Sequence, residues 1–191
     1  MNAIGIIGSP REHGNTEMLV TRCLDRLSKA GIDCEPIPLR GKTIKPCTAC
    51  QTCRKTKDGT CVIKDDDFHE IFDRMKSADI IVVGSPVYFG SATPETMALL
   101  DRAGYVSRSN GQIFSRKIGG PIAVARRAGQ NFTFAQLLYW FMINDMVVPG
   151  STYWNVAFGR QAGDVADDEE ALQTVDRFAE NLAWLAERLS A

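Results

Sequence analysis

Short continuous apolar runs alternate along the chain with stretches whose apolar residues recur every three to four positions. Residues 3–7, Ala-Ile-Gly-Ile-Ile, read as a buried strand. Residues 17–29 follow with Leu19, Cys23, Leu24 and Leu27 at helical spacing, and Gly31 stops that helix. Residues 32–39 form a second strand broken by Pro36 and Pro38, which cannot donate to a ladder and so place it at a sheet edge. Residues 79–84 and 118–125 read as central parallel strands, and Met146-Val147-Val148 begins a fifth. Helices are predicted from Asp65-Asp66-Asp67 to about residue 77, over 95–103 behind Pro94, over 131–144, and over 167–189. Asp67 and Glu70 have capping-box spacing, and the three aspartates read as charge complementing a helix start. In the last helix Leu172, Val175, Phe178, Leu182, Leu185 and Leu189 make one stripe.

Strands alternating with helices predict an α/β fold: a doubly wound, five-stranded parallel sheet. No composition break divides the chain, so residues 1–191 read as one domain. Residues 41–64 fit no regular element and make a cysteine-rich loop inserted after strand two. In such sheets a ligand binds beyond the carboxyl ends of the strands, where strand order reverses. The loops after strands one, three and four should meet there.

The first of those loops, residues 8–16, runs from a strand into a helix N-terminus. Free backbone N–H groups and the positive helix end make an anion site, with Ser9, Asn15 and Thr16 as side-chain donors and Arg11 as a charge. It has neither the Gly-x-Gly-x-x-Gly of a dinucleotide fold nor the Gly-x4-Gly-Lys-Ser/Thr of a nucleotidase, so it suits a single phosphate. The second loop offers Pro86, Val87, Tyr88, Phe89 and Gly90, an apolar and aromatic surface for a flat ring with polar edges. Together they point to FMN. The third, residues 126–130, is basic and carries Gly129; Arg127 and Gly129 are its candidate flavin contacts.

Charge and cysteine usage narrow the classes further. The net charge of -1 favours neither nucleic acid nor an anionic membrane as partner. The chain enters a strand without a signal-like segment, and its longest aromatic-aliphatic run is too short to span a bilayer, so a cytoplasmic protein is expected. Cys23 reads as a core residue and Cys34 as structural, whereas Cys47, Cys50, Cys53 and Cys61 crowd into fifteen residues. In a reducing compartment that argues for metal or redox chemistry.

The loops at residues 8–16 and 85–90 and the Asp-rich helix start resemble the flavodoxin-like NAD(P)H-dependent FMN reductase family over essentially the whole chain. With four cysteines between strand two and helix two, the sequence is similar to the iron-sulfur flavoproteins of that family. The resemblance implies a flavodoxin-like fold and FMN beside a [4Fe-4S] cluster, with NAD(P)H or reduced ferredoxin as electron donor. The spacing Cys47-x2-Cys50-x2-Cys53-x7-Cys61 leaves a cluster, a zinc ion and cluster-free thiols or disulfides open, and it matches cubane ligation better than a pair of zinc hooks. The loop is expected to bring a second redox group towards the flavin end of the sheet. His13 and His69 read as solvated surface residues. No acid or base is required for such chemistry, and no catalytic side chain is expected.

The helix over 131–144 is apolar nearly all round, and Trp184 lies off the stripe of the last helix. Burial on two sides needs a second subunit, so a homodimer or homotetramer is expected.

Overall fold

The structure, a computed structural model, describes residues 1–190. Five parallel strands are β1 (Asn2–Ile7), β2 (Asp33–Pro38), β3 (Ile80–Pro86), β4 (Ile118–Ala125) and β5 (Val156–Phe158), in the order β2-β1-β3-β4-β5. Strand order reverses between β1 and β3, and this is the flavodoxin-like arrangement. The helices are α1 (Asn15–Lys29), α2 (Thr52–Thr56), α3 (Phe68–Ser77), α4 (Pro94–Ser109), α5 (Gln130–Ile143) and α6 (Glu169–Ser190). The doubly wound five-stranded sheet expected from the pattern is present.

Side chains alternate across β1 and divide the core in two. Ile4 and Ile6 face α3, α4 and α5, meeting Phe72, Leu99 and Phe141. Ala3 and Ile7 face α1 and α6, meeting Leu24, Phe178 and Leu182. Gly5 and Gly84 let α1 lie close on the sheet: a Cβ on Gly84 would come within 2.3 Å of Val20 Cγ2. Arg22 ties α1 to α6 by a two-point ion pair with Asp176, at 2.6 and 2.7 Å.

Several expectations are corrected. The fifth strand does not begin at Met146. Val147 makes one bridge to Ile118, and then Pro149, which has no N–H, and Gly150 lead the chain away. It returns at Asn155, whose carbonyl accepts from Ala123 N, and β5 pairs with Ala123, Val124 and Ala125 instead. The helix after β3 runs to Ser109 rather than 103, and the cysteine loop contains the short α2.

The capping box at α3 does not form. Asp67 Oδ2 accepts from Thr43 N at 2.7 Å and caps nothing in its own helix. Asp66 is likewise more than a helix-start charge: it is buried against Arg102 of α4. His69 is only partly exposed; its Nε2 lies 3.0 Å from the Ile63 carbonyl oxygen and its ring packs edge-on to Phe68. Leu189 drops out of the α6 stripe and is exposed. Cys23 is fully buried as expected, which pushes its thiol pKa far up.

Candidate functional site

The polypeptide leaves β1 through a tight loop before entering α1. Gly8 N donates to Gly84 O at 2.8 Å, and Thr93 Oγ1 donates to Gly8 O at 2.8 Å, so three loop segments are locked at the switch point. Ser9 Oγ accepts from Arg11 N, turning the chain. Gly14 is the N-cap of α1 and no side chain caps the helix. The first-turn N–H groups are therefore left for a ligand, and the helix dipole adds positive potential there.

Tyr88 and Ser91 exchange backbone hydrogen bonds across Phe89 and Gly90, at φ of 51° and 83°. Positive φ at both central positions makes a tight primed turn, which holds the Phe89 side chain fully in solvent. Behind it Gly129, at φ 90°, opens α5; a Cβ there would come within 2.9 Å of Val87 Cγ1.

These segments enclose a cavity of about 220 Å³. Of the candidate flavin contacts, Ser9, Arg11, Asn15, Thr16, Pro86, Val87 and Tyr88 line it. Phe89, Gly90, Arg127 and Gly129 do not; Phe89 and Gly90 form the turn tip and Gly129 backs Val87. Arg126 takes the place expected of Arg127. Gly159, Arg160 and Gln161, after β5, complete the wall. Chain spacing does not mark them, because it places the fifth strand at Met146-Val147-Val148 rather than at Val156–Phe158. With β5 ending at Phe158, the strand-end rule would have pointed to them.

The wall carries the guanidinium-bearing residues Arg11, Arg126 and Arg160 and no carboxylate. Asn15 is not a free donor. Its Nδ2 donates to Gln161 O at 2.7 Å and its Oδ1 accepts from Gly163 N at 2.9 Å, tying α1 to the segment after β5. Arg11 Nη1 adds a bond to Arg160 O at 2.9 Å. Asn15→Ala should therefore cost about 0.5–1.5 kcal/mol by removing part-buried hydrogen bonds across the tie. Hydrogen exchange would show faster opening at residues 159–165, and unchanged exchange there would contradict the tie.

The second cluster is the cysteine loop. Cys47, Cys50, Cys53 and Cys61 line one small pocket with Arg102, Tyr105 and Val106 of α4. Cys47 and Cys50 are exposed, Cys53 is buried at the start of α2, and Cys61 is half-buried. Burial raises the Cys53 thiol pKa, whereas a hydrogen bond from Thr52 lowers that of Cys50. Among the described residues no three His, Cys, Asp or Glu side chains are gathered closely enough to hold a metal ion as they stand. The loop is basic, with Lys42, Lys45, Arg54, Lys55, Lys57 and Lys64 against Asp58 alone.

The loop does not bring the cysteines to the flavin end. Arg102 to Val106 lie 8–12 residues along α4 from Pro94, about 12–18 Å at 1.5 Å per residue. Arg102 is fully buried, its guanidinium carbon 3.9 Å from the Phe68 ring centre, and no motif or spacing marks it.

The family model for NADPH-dependent FMN reductases matches residues 1–161. An iron-sulfur flavoprotein of Methanocaldococcus jannaschii is 37% identical, with 96% of each chain covered. One from Methanosarcina thermophila is 33% identical over 98% of this chain and 96% of that one. An archaeal flavodoxin structure superposes with a TM-score of 0.63 at 17% identity, covering 100% of both chains, a likeness of fold.

Proposed function

The chain belongs to the NADPH-dependent FMN reductase family, among its iron-sulfur flavoproteins, and from that premise we propose how its two sites share the work of an FMN-dependent oxidoreductase. The cavity at the strand ends holds FMN, and the four-cysteine pocket holds a [4Fe-4S] cluster. The observation that carries the first assignment is a wall with three arginines, no carboxylate and an uncapped helix N-terminus. That donor set suits a phosphate ester and repels nothing anionic. Support for the second is four thiols on one pocket with no carboxylate among its lining residues, and the names of the relatives.

When bound, the flavin accepts electrons in pairs and the cluster carries them singly, which suits a link between two-electron and one-electron chemistry. The residues supply position and field. Ser9, Thr16 and the first-turn amides of α1 hold the phosphate. Val87 and Tyr88 bound the ring, and the exposed Phe89 turn leaves the rim open for a nicotinamide or an acceptor. No second nucleotide subdomain is present among the described residues, so NAD(P)H would dock there transiently.

Anaerobic purification followed by absorption spectroscopy and iron and acid-labile sulfide assays tests both cofactors. Flavin bands with iron and sulfide are expected. Flavin without iron, and four alkylatable loop thiols, would remove the cluster.

A second reading, an electron carrier reduced by ferredoxin, is favoured by the exposed Cys47 and Cys50 beside Arg54, Lys55 and Lys57. Reduced ferredoxin, an acidic partner, should then bleach the flavin quickly at low salt. The rate should fall roughly tenfold or more in 0.5 M salt, because exposed charges are screened beyond about a Debye length. Fast bleaching by NAD(P)H with no response to ferredoxin would favour the reductase alone.

The α5 face carrying Phe132, Tyr139, Met142 and Ile143 is exposed in the single chain, beside Tyr153 and Trp154. We assign that face to contact between copies, as a homodimer or homotetramer. No helix among the described residues is long and apolar enough to cross a membrane, and a cytoplasmic site of action fits the unpaired thiols.

A further inference from the structure

We propose that Arg102 is a positioning residue for the metal centre, fixing both ends of the cysteine loop and directing its remaining N–H to a ligating sulfur. The proposal rests on the reading of Cys47, Cys50, Cys53 and Cys61 as cluster ligands.

The loop is anchored symmetrically. Arg102 Nη1 donates to Lys45 O at 3.0 Å, two residues before Cys47. Arg102 Nη2 donates to Ile63 O at 3.1 Å, two residues after Cys61. Asp66 completes the anchor: it is ion-paired with Arg102 and its Oδ2 also accepts from Lys45 N at 2.9 Å. Phe68 lies under the guanidinium at 3.9 Å and holds its plane. One side chain from α4 thus sets the distance between the two points where the cysteine segment leaves and rejoins the fold.

This arrangement uses the terminal nitrogens and leaves Nε. That atom is buried and has no hydrogen-bond partner, although Arg102 forms part of the cysteine pocket wall. A buried guanidinium donor without an acceptor is costly, and on this pocket wall it is available to a group that fills the pocket. Beside Thr48 and Gln51, the pocket lining offers four thiol sulfurs and no carboxylate. A thiolate-ligated cluster is anionic and presents sulfur acceptors, and hydrogen bonds to those sulfurs raise its reduction potential. Arg102 therefore fits the centre twice, as a spacer for the ligand loop and as a donor that favours the reduced cluster.

The test compares wild type, Arg102→Lys and the neutral pair Arg102→Met/Asp66→Asn, each reconstituted anaerobically with iron and sulfide. Lysine keeps a charge beside Asp66 but loses the Nε donor and the two-point clamp, so the fold, followed by circular dichroism melting, should persist. The neutral pair leaves no unmatched buried charge if lysine fails to fold. Arg102→Lys should load iron and sulfide yet release iron to a chelator roughly tenfold faster. Its midpoint potential, from a titration followed by electron paramagnetic resonance, should be more negative than that of wild type. A loaded variant with wild-type midpoint and release rate overturns the role of Arg102 and leaves the cluster standing. Wild-type protein that takes up neither iron nor sulfide overturns the cluster reading, and this role with it.

Discussion

Ser9→Asp will weaken FMN binding by roughly 1,000-fold with little change in stability. Ser9 is buried on the cavity wall, just ahead of α1. Its Oγ accepts from Arg11 N, and an aspartate oxygen can accept that bond equally. A carboxylate near an uncapped helix N-terminus is also favourable in the empty protein. The same carboxylate would stand next to a phosphate. Two unit charges 4 Å apart at an effective dielectric of 20 repel by about 4 kcal/mol, which is roughly three powers of ten in affinity. Titration of the apoprotein with FMN, read by quenching of flavin fluorescence, measures it. An affinity within a few-fold of wild type would move the phosphate elsewhere. Iron content should not change, because the cysteine pocket is a separate site along α4.

Asp66→Ala will cost the fold about 3–5 kcal/mol, because it strands the buried Arg102 guanidinium without its counter-ion. Urea unfolding of the cofactor-free protein is the measurement, and a loss under 1 kcal/mol would mean that the pair is solvated. Replacing both members by neutral side chains should recover much of the loss.

The same pair has a pH signature. Burial pushes the Asp66 pKa up, but the hydrogen bonds from Arg102 and from Lys45 N outweigh it and hold the carboxyl below its usual 3.8. A folded-state pKa below the unfolded one contributes stability that is complete above the unfolded value and is lost as pH falls through the folded one. The advantage of wild type over Asp66→Asn should thus be constant near neutrality and shrink only below about pH 3.8.

How much was legible in the chain differs between the two sites. The strand-loop-helix at residues 8–16 was readable because a strand, a short polar turn and a helix start are contiguous in the chain. Pro86, Val87 and Tyr88 were readable for the same reason. Arg160 and Gln161 were not, since their place depends on β5, and a three-residue edge strand leaves almost no periodicity. Asn15, expected as a donor to the ligand, lies on the cavity wall, but its side chain is bonded to partners 146 and 148 positions away, beyond any local pattern.

The sequence by itself determined the α/β alternation, the polar loop that leads into the first helix and the four cysteines of one loop, because each is written in local spacing and residue type. Tertiary structure decided the rest. It split the edge strand and set the cysteines well along α4 instead of at the flavin end. It also joined Asp66 to Arg102, a pair separated by 36 positions that no spacing rule links. The physical reason is common to all three. Burial and ion pairing depend on which elements pack together, and that is fixed only when helices on each side of the sheet close over the two halves of its core.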